Sequence, residues 1–152
     1  MLQLAMDRSA GTVAIGRGRS AAATRAASGF ARRWEASTRA VLCVVTWPGN
    51  AASWLRQAVR FAAANPDMWV MSDPSGGWAQ MTRRLLWATP WQPERTIAGA
   101  DIGTSQAIGL VGAANVSGLA GATADGGTWE VRDGKLDTRP ECGGSVSIPY
   151  SI

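Results

Sequence analysis

The residues best placed to do chemistry stand in three short turns, each of which follows an apolar segment. The turns cover residues 16–20, 48–50 and 73–77. Turns that open onto helices present free backbone N–H groups, which bind anions, and arginine adds a planar fork of donors. If the apolar segments are parallel strands, the three turns converge on one edge of a sheet. The sequence therefore predicts one ligand- or anion-binding pocket, formed by Gly16, Arg17, Gly18, Arg19, Ser20, Asn50, Asp73 and Ser75.

The first turn resembles part of the dinucleotide-binding fingerprint. Gly16, Gly18 and Ala21 match the Gly-x-Gly-x-x-Gly/Ala pattern between a predicted strand and a predicted helix. The match covers about 25 residues, and Thr46 and Trp47 end the next apolar segment where an acidic residue would bind ribose. The resemblance implies a nucleotide, whereas a tight strand-to-helix turn explains the glycines without one. Apart from this, the sequence predicts no cofactor.

Asp73 and Ser75 have the chemistry of a metal ligand and a nucleophile. An Asp-Pro-Ser-Gly segment is also ordinary turn chemistry, in which either side chain caps the next helix. We favour the capping role, because Glu94, Asp101 and Asp125 can supply a second carboxylate only through folding.

Histidine is absent from the chain. Its absence excludes Ser-His-Asp and Cys-His nucleophiles, histidine-ligated zinc and a histidine general base. The two cysteines, Cys43 and Cys142, cannot form a four-cysteine zinc site, and the sequence does not show whether they pair. The sequence predicts no metal site and no catalytic residues, and it favours a non-catalytic protein over an enzyme.

The elements that would position these turns form strand–helix repeats. Residues 12–15, 41–47 and 68–71 are apolar and rich in branched side chains, as in strands buried on both faces. Residues 20–35 predict a helix with one buried face, made of Ala23, Ala27, Phe30 and Trp34. A second helix, capped by Asn50, would end at Asn65-Pro66 and bury Trp54, Leu55, Ala58, Val59 and Ala62. A third covers residues 78–88.

Repeats of this kind favour a parallel sheet with crossover helices. We predict an α/β fold, a small two-layer or three-layer Rossmann-like sheet, with the segments near Val44 and Val70 side by side. Residues 96–102 could add a strand, and Asp133-Gly134 predicts a hairpin between 128–132 and 135–138. Residues 145–148 could add an edge strand. The alternative is an all-β sandwich with a basic N-terminal arm.

The predicted organisation is a βα-repeat core at 1–95, followed by a Gly/Ala-rich segment and the hairpin at 96–152. Both parts are expected to belong to one domain.

Charge and tryptophan content suggest partners. Residues 1–60 hold nine arginines against Asp7 and Glu35, a net charge of 9 − 2 = +7. This excess suits a nucleic acid or another polyanion, although a GC-rich genome also favours arginine. Eight tryptophans are more than one small core is expected to bury, so some could form an interface.

The first hypothesis for function is a non-catalytic interaction or structural subunit of a larger assembly, with a protein partner or self-association. One alternative is an α/β enzyme that binds a nucleotide or phosphate ligand at the strand ends, and another is nonspecific nucleic-acid binding. No apolar segment of 18 residues is present, so no membrane contact is predicted. The expected location is the cytoplasm; the Arg-, Ser- and Ala-rich residues 8–39 leave an organelle transit peptide as the alternative.

Overall fold

The computed structural model describes residues 1–73 and 77–141. The helices are α1 (Leu2–Asp7), α2 (Ala21–Ala36), α3 (Leu55–Ala63), α4 (Gly77–Ala88) and α5 (Ser105–Val111). The strands are β1 (Thr12–Arg17), β2 (Ala40–Thr46), β3 (Met68–Ser72), β4 (Thr96–Ala98), β5 (Ala120–Ala122), β6 (Thr128–Arg132) and β7 (Lys135–Arg139). Short 3₁₀ turns occupy Pro93–Arg95 and Ala113–Val116.

The strands form one sheet in the order β2-β1-β3-β4-β5-β6-β7. The first five are parallel, and β6 and β7 are antiparallel additions at one side. The predicted α/β fold with a parallel, Rossmann-like sheet is therefore confirmed, and the all-β alternative is wrong. One detail differs: the segments near Val44 and Val70 are parallel, as predicted, but β1 lies between them.

Helices cover both faces of the sheet. On one face, α1 and α2 pack on β1, β3 and β4 through a core that includes Val13, Ile15, Phe30, Trp34 and Val70. On the other face, a larger core joins α3, α4 and α5 to the sheet and includes Trp47, Phe61, Trp69, Trp78 and Trp129. The two cores give the three layers of a doubly wound domain.

Helix α2 matches its prediction and α3 does not. The buried residues of α2 are Ala23, Ala27, Phe30 and Trp34, and Ser20 caps the helix by accepting the N–H of Ala23 at 3.0 Å. The predicted cap of the next helix is wrong, because α3 begins at Leu55 with Trp54 at the N-cap position and Asn50 is exposed in the preceding loop.

The predicted buried face of α3 is also partly wrong. Ala58, Phe61 and Ala62 are buried, whereas Leu55 and Val59 are 43% and 48% exposed. The helix packs beside β2, an edge strand of the described sheet, and no further layer within residues 1–73 and 77–141 covers its outer side.

The hairpin between β6 and β7 is confirmed in position and in register. Its turn residues Asp133 and Gly134 have φ angles of 51° and 71°, the left-handed values of a type I′ turn. Arg132 pairs with Lys135, and Glu130 pairs with Asp137. These like-charged pairs are partly compensated, because Arg132 donates to Glu130 on its own strand at 2.6 Å.

The remaining sequence predictions concern an element that is shorter than expected and residues outside the described ranges. The strand at 96–102 shortens to Thr96–Ala98. The possible edge strand at 145–148 and Cys142 lie outside the described residues, and so does Ser75. The division at residues 95 and 96 stays a prediction. No helix within the described ranges combines the length and apolar character needed to cross a bilayer.

We predict that Gly16→Ala destabilises the fold. A Cβ at this position would lie 2.4 Å from Cζ3 of Trp47 and 3.0 Å from Cε2 of Phe61, so two buried rings would have to move. Overpacking of this kind costs about 1–3 kcal/mol of unfolding free energy, which chemical denaturation measures.

Gly109→Ala is the matched control for this change. A Cβ at position 109 would meet no packing neighbour within 4 Å, and alanine in a helix gains about 1 kcal/mol over glycine. Equal unfolding free energies for the two variants would contradict the packing argument.

Candidate functional site

The carboxyl edge of the parallel strands is the natural place for a site in this fold. From β1 the chain crosses to β2 on one side, and it then returns over β1 to β3 on the other side. The connections therefore diverge at β1 and β3 and leave a crevice between them. Open α/β sheets bind ligands at this switch point.

A buried carboxylate lies at the switch point. Asp73 follows β3 directly, is 2% exposed, and accepts a hydrogen bond of 2.7 Å from Nε1 of Trp47. Trp47 itself is fully buried at the end of β2. The hydrogen bond therefore ties the end of β2 to the end of β3 across β1.

Gly16 and Gly18, the two glycines of the dinucleotide-binding pattern, leave room for the contact between Trp47 and Asp73. Gly16 leaves room for the Trp47 ring, and a Cβ at Gly18 would lie 2.4 Å from Oδ1 of Asp73. The N–H of Gly18 donates to the carbonyl of Ser72 at 3.1 Å. A carboxylate against the second glycine is a poor neighbour for a pyrophosphate, so the glycines fit internal packing better than the nucleotide that the resemblance implies.

The remaining predicted site residues take different places. Arg17 folds back over the start of α2 and donates to the carbonyl of Gly18 and to Oγ1 of Thr24. Ser20 caps α2, whereas Arg19 and Asn50 are exposed on the carboxyl-edge loops. The structure thus gathers the glycines and Asp73 at the switch point, and their ligand-binding role stays a prediction.

A cavity of about 400 Å³ opens beside this edge, on the α2 face of the sheet. Its floor is formed by the ends of β3, β4 and β5 at Ser72, Gly99 and Ala122. Charged groups of both signs line it, namely Arg25 and Arg33 of α2 and Asp101 of the loop after β4. Its apolar wall comes from Leu2, Ala26 and Phe30.

Asp101 is electrostatically linked to the switch point. Partial desolvation raises the pKa of its carboxyl group, and the nearby Asp73 carboxylate raises it further. The raised pKa means that burial and the Asp73 carboxylate outweigh the backbone hydrogen bond that favours the ionised form of Asp101. A cationic group entering the cavity would supply compensating positive charge.

Sequence patterns alone do not bring the cavity residues together. From the sequence alone, Arg25 and Arg33 are recognised only as part of the positive charge of residues 1–60. Asp101 is recognised only as a carboxylate far along the chain from Asp73. The spacing of 68 residues or more between these arginines and Asp101 gives no local signal. The helical periodicity of α2 does place Arg25 opposite the face of Ala23, Ala27 and Trp34, and Arg33 on the flank of that face. Among the described residues, no group of three acidic or cysteine side chains could hold a metal ion.

Comparisons with known proteins identify the fold. No family model matches the sequence, and no curated protein sequence is recognisably similar to it. An extracellular ligand-binding receptor from Rhodopseudomonas palustris superposes with a TM-score of 0.69 at 15% identity, over 80% of this chain and 33% of that one. A branched-chain amino acid ABC transporter periplasmic ligand-binding protein from Burkholderia xenovorans gives 0.64 at 13% identity, over 81% and 33%.

A substrate-binding periplasmic protein from Ralstonia solanacearum gives a TM-score of 0.62 at 16% identity, over 79% of this chain and 33% of that one. The chain thus spans about a third of the length of these solved structures. It shares with them the fold of a doubly wound, Rossmann-like α/β unit.

These neighbours contradict three interpretations of the sequence. Their names describe periplasmic or extracellular ligand-binding proteins, so the hypothesis of a structural or interaction subunit is wrong. The same names contradict a cytoplasmic location. They also contradict the predicted partners, which were a protein, a second copy or a nucleic acid, with no membrane contact.

The structure explains two of these errors. Six tryptophans are buried within one chain, which removes the argument for a tryptophan-rich interface: Trp34, Trp47, Trp69, Trp78, Trp91 and Trp129. Part of the N-terminal positive charge is held against the folded chain. Arg8 donates to the carbonyl of Glu94, and Arg39 stacks on Trp34 and donates to the carbonyl of Ala10.

We predict that Trp47→Phe lowers the free energy of unfolding, because it removes a buried hydrogen bond at the switch point. The change removes one hydrogen bond from a buried carboxylate, and the loss of a hydrogen bond to a charged group costs about 1.5–3 kcal/mol. Thermal or denaturant unfolding measures the loss. Trp87→Phe is the control, because Trp87 is 86% exposed and its truncation should shift stability by less than about 0.5 kcal/mol. Indistinguishable stabilities would contradict the structural role of the Trp47–Asp73 bond.

Proposed function

We propose that this chain is a small-molecule ligand-binding unit whose ligand occupies the carboxyl edge of the sheet. The observation that carries the proposal is the cavity of about 400 Å³ with both charge signs at the ends of β3, β4 and β5. The fold supports it, because doubly wound sheets bind ligands at this edge. The solved neighbours support it too, since their names describe ligand-binding proteins.

The lining favours a zwitterion with an apolar substituent, the chemistry of a branched-chain amino acid. Arginine is suited to a carboxylate, and a carboxylate side chain is suited to an ammonium group. Arg25 and Arg33 lie eight residues apart, about 12 Å along the helix axis, so they flank the cavity. In this proposal Arg25, nearer the carboxyl edge, binds the ligand carboxylate and Asp101 binds the ammonium. Phe30 and Leu2 contact the apolar substituent.

Three more of the residues predicted from the sequence keep a place in this proposal. Arg19, Ser20 and Asn50 belong to the loops at the same edge, where the first turn of α2 also presents its N–H groups. They would contact polar groups of a ligand that extends from the cavity toward the switch point. Gly16, Gly18 and Asp73 would shape the edge from within.

We expect leucine, isoleucine or valine to bind and Arg25→Gln and Asp101→Asn to weaken binding. Hydrogen bonds to charged groups contribute about 1.5–3 kcal/mol, which corresponds to a loss of roughly tenfold or more in affinity. Isothermal titration calorimetry measures the affinity. Arg32→Gln is the matched control, because Arg32 is exposed on the same helix and does not line the cavity.

Ligand analogues separate the two contacts. Isocaproate, which lacks the ammonium group of leucine, should bind wild type and Asp101→Asn with equal affinity. Isoamylamine, which lacks the carboxylate, should bind wild type and Arg25→Gln with equal affinity. No binding of any amino acid or analogue, or an equal effect of Arg32→Gln, would overturn the proposal.

We also expect the ligand affinity to depend on pH through the protonation of Asp101. Its folded pKa is raised, so the carboxyl group gains a proton at a higher pH than an ordinary aspartate, whose pKa is about 3.9. Affinity for an ammonium ligand should therefore fall as the pH is lowered from about 7 to about 4. Calorimetry at several pH values tests this, and Asp101→Asn should show a flat profile. If the dependence of affinity on pH were the same in wild type and in Asp101→Asn, Asp101 would not be the group that binds the ammonium.

A further inference from the structure

The outer face of the α3–α4–α5 layer carries charge of one sign only. The three helices lie side by side on the face of the sheet opposite α2, with α3 against α4 and α4 against α5. Their sequences contain no aspartate or glutamate. They contain four arginines, all exposed: Arg56, Arg60, Arg83 and Arg84. We call the outer surface of these helices the cationic helical face.

Large apolar side chains are exposed on the same face. Trp87 of α4 is 86% exposed, and Leu110 of α5 is 50% exposed. Leu55 and Val59 of α3 add two more, each more than two fifths exposed. Four of the six large apolar side chains that are exposed among the described residues therefore lie on this one layer. Scattered apolar residues are ordinary on a surface, but a group of this size among unopposed arginines suggests a contact surface.

A cavity of about 370 Å³ lies within this face. It is lined by Ala52, Trp54, Gln80, Arg83, Arg84 and Trp87. Two arginines beside two indole rings match a phosphate joined to a less polar group, because arginine binds phosphate through a planar fork and tryptophan prefers the boundary between water and hydrocarbon. Arg83 is also anchored, since it donates to the carbonyl of Leu110.

We propose that the cationic helical face docks on the surface of an anionic phospholipid bilayer. The charge complementarity favours lipid: a single-sign surface has no acidic residue for reciprocal pairing with a protein, whereas anionic headgroups supply negative charge uniformly. Trp87 enters the headgroup region, and the cavity beside it receives a lipid phosphate. The ligand cavity lies on the opposite face of the sheet and stays open to solvent.

Cosedimentation with lipid vesicles tests this proposal. The full chain should bind vesicles of phosphatidylcholine and phosphatidylglycerol in equal parts and should bind phosphatidylcholine vesicles far more weakly. Raising the salt concentration should release it, because salt screens exposed charges. Each arginine near such a surface contributes a factor of roughly five to partitioning. The Arg83→Gln/Arg84→Gln variant should therefore bind roughly 25-fold more weakly.

Two further variants make the test specific. Arg32→Gln makes the same charge change per site on the other side of the sheet and should retain wild-type binding. Trp87→Ser should weaken vesicle binding at unchanged net charge and leave retention on heparin unaltered. Absence of vesicle binding at low salt, or equal losses for Arg32→Gln and each single change at Arg83 or Arg84, would overturn the proposal. Vesicle binding insensitive to Trp87→Ser would indicate a soluble polyanion or an acidic protein as the partner and would also overturn it.

Discussion

The carboxyl edge of this sheet depends on one buried contact, the hydrogen bond from the Trp47 indole to the Asp73 carboxylate. A charged group buried away from water is costly unless donors surround it. Trp47 supplies one donor by lying across the end of β1, which requires glycine at position 16, and the carboxylate approaches β1 only because position 18 is also glycine. The bond therefore determines which residues can stand at the switch point and how closely three strand ends approach one another.

The two faces of the sheet differ in chemistry as a result of what covers them. On the α2 face, a long helix and a short one leave an open cavity over β3, β4 and β5, which arginine and aspartate side chains line together. On the opposite face, three helices close over a tryptophan-rich core and present arginine and apolar side chains outward. A ligand contact and a surface contact can therefore use separate parts of the molecule without competing for residues.

Much of the fold could be predicted from local pattern, and the candidate ligand cavity could not. The branched apolar segments indicated β1, β2 and β3, and the spacing of Ala23, Ala27, Phe30 and Trp34 indicated α2. Burial followed the pattern in β1, β3 and α2, because a central strand or a covered helix buries the residues that its pattern marks. The expected burial of residues 41–47 on both faces is wrong, because β2 ends the described sheet and leaves Leu42 and Val44 exposed. The pattern failed at α3, since this helix lies beside an edge strand and none of the described elements covers its Leu55 and Val59. Strand order, and the presence of Arg25 and Asp101 in one cavity, depend on the positions of the crossover helices, which no short stretch of sequence specifies.

The two outer strands of the described sheet suggest how the molecule avoids recruiting further strands. β7 presents Lys135, Asp137 and Arg139, whose charges oppose the approach of a flat apolar partner. β2 is apolar at its edge, with Leu42 and Val44 partly exposed, but its register slips opposite Val13 and Ala14 so that Leu42 is an extra, bulged residue. A bulge bends the strand and interrupts its regular row of backbone donors and acceptors. Pairing with a further strand is thus opposed on one side by charge and on the other by irregular backbone geometry.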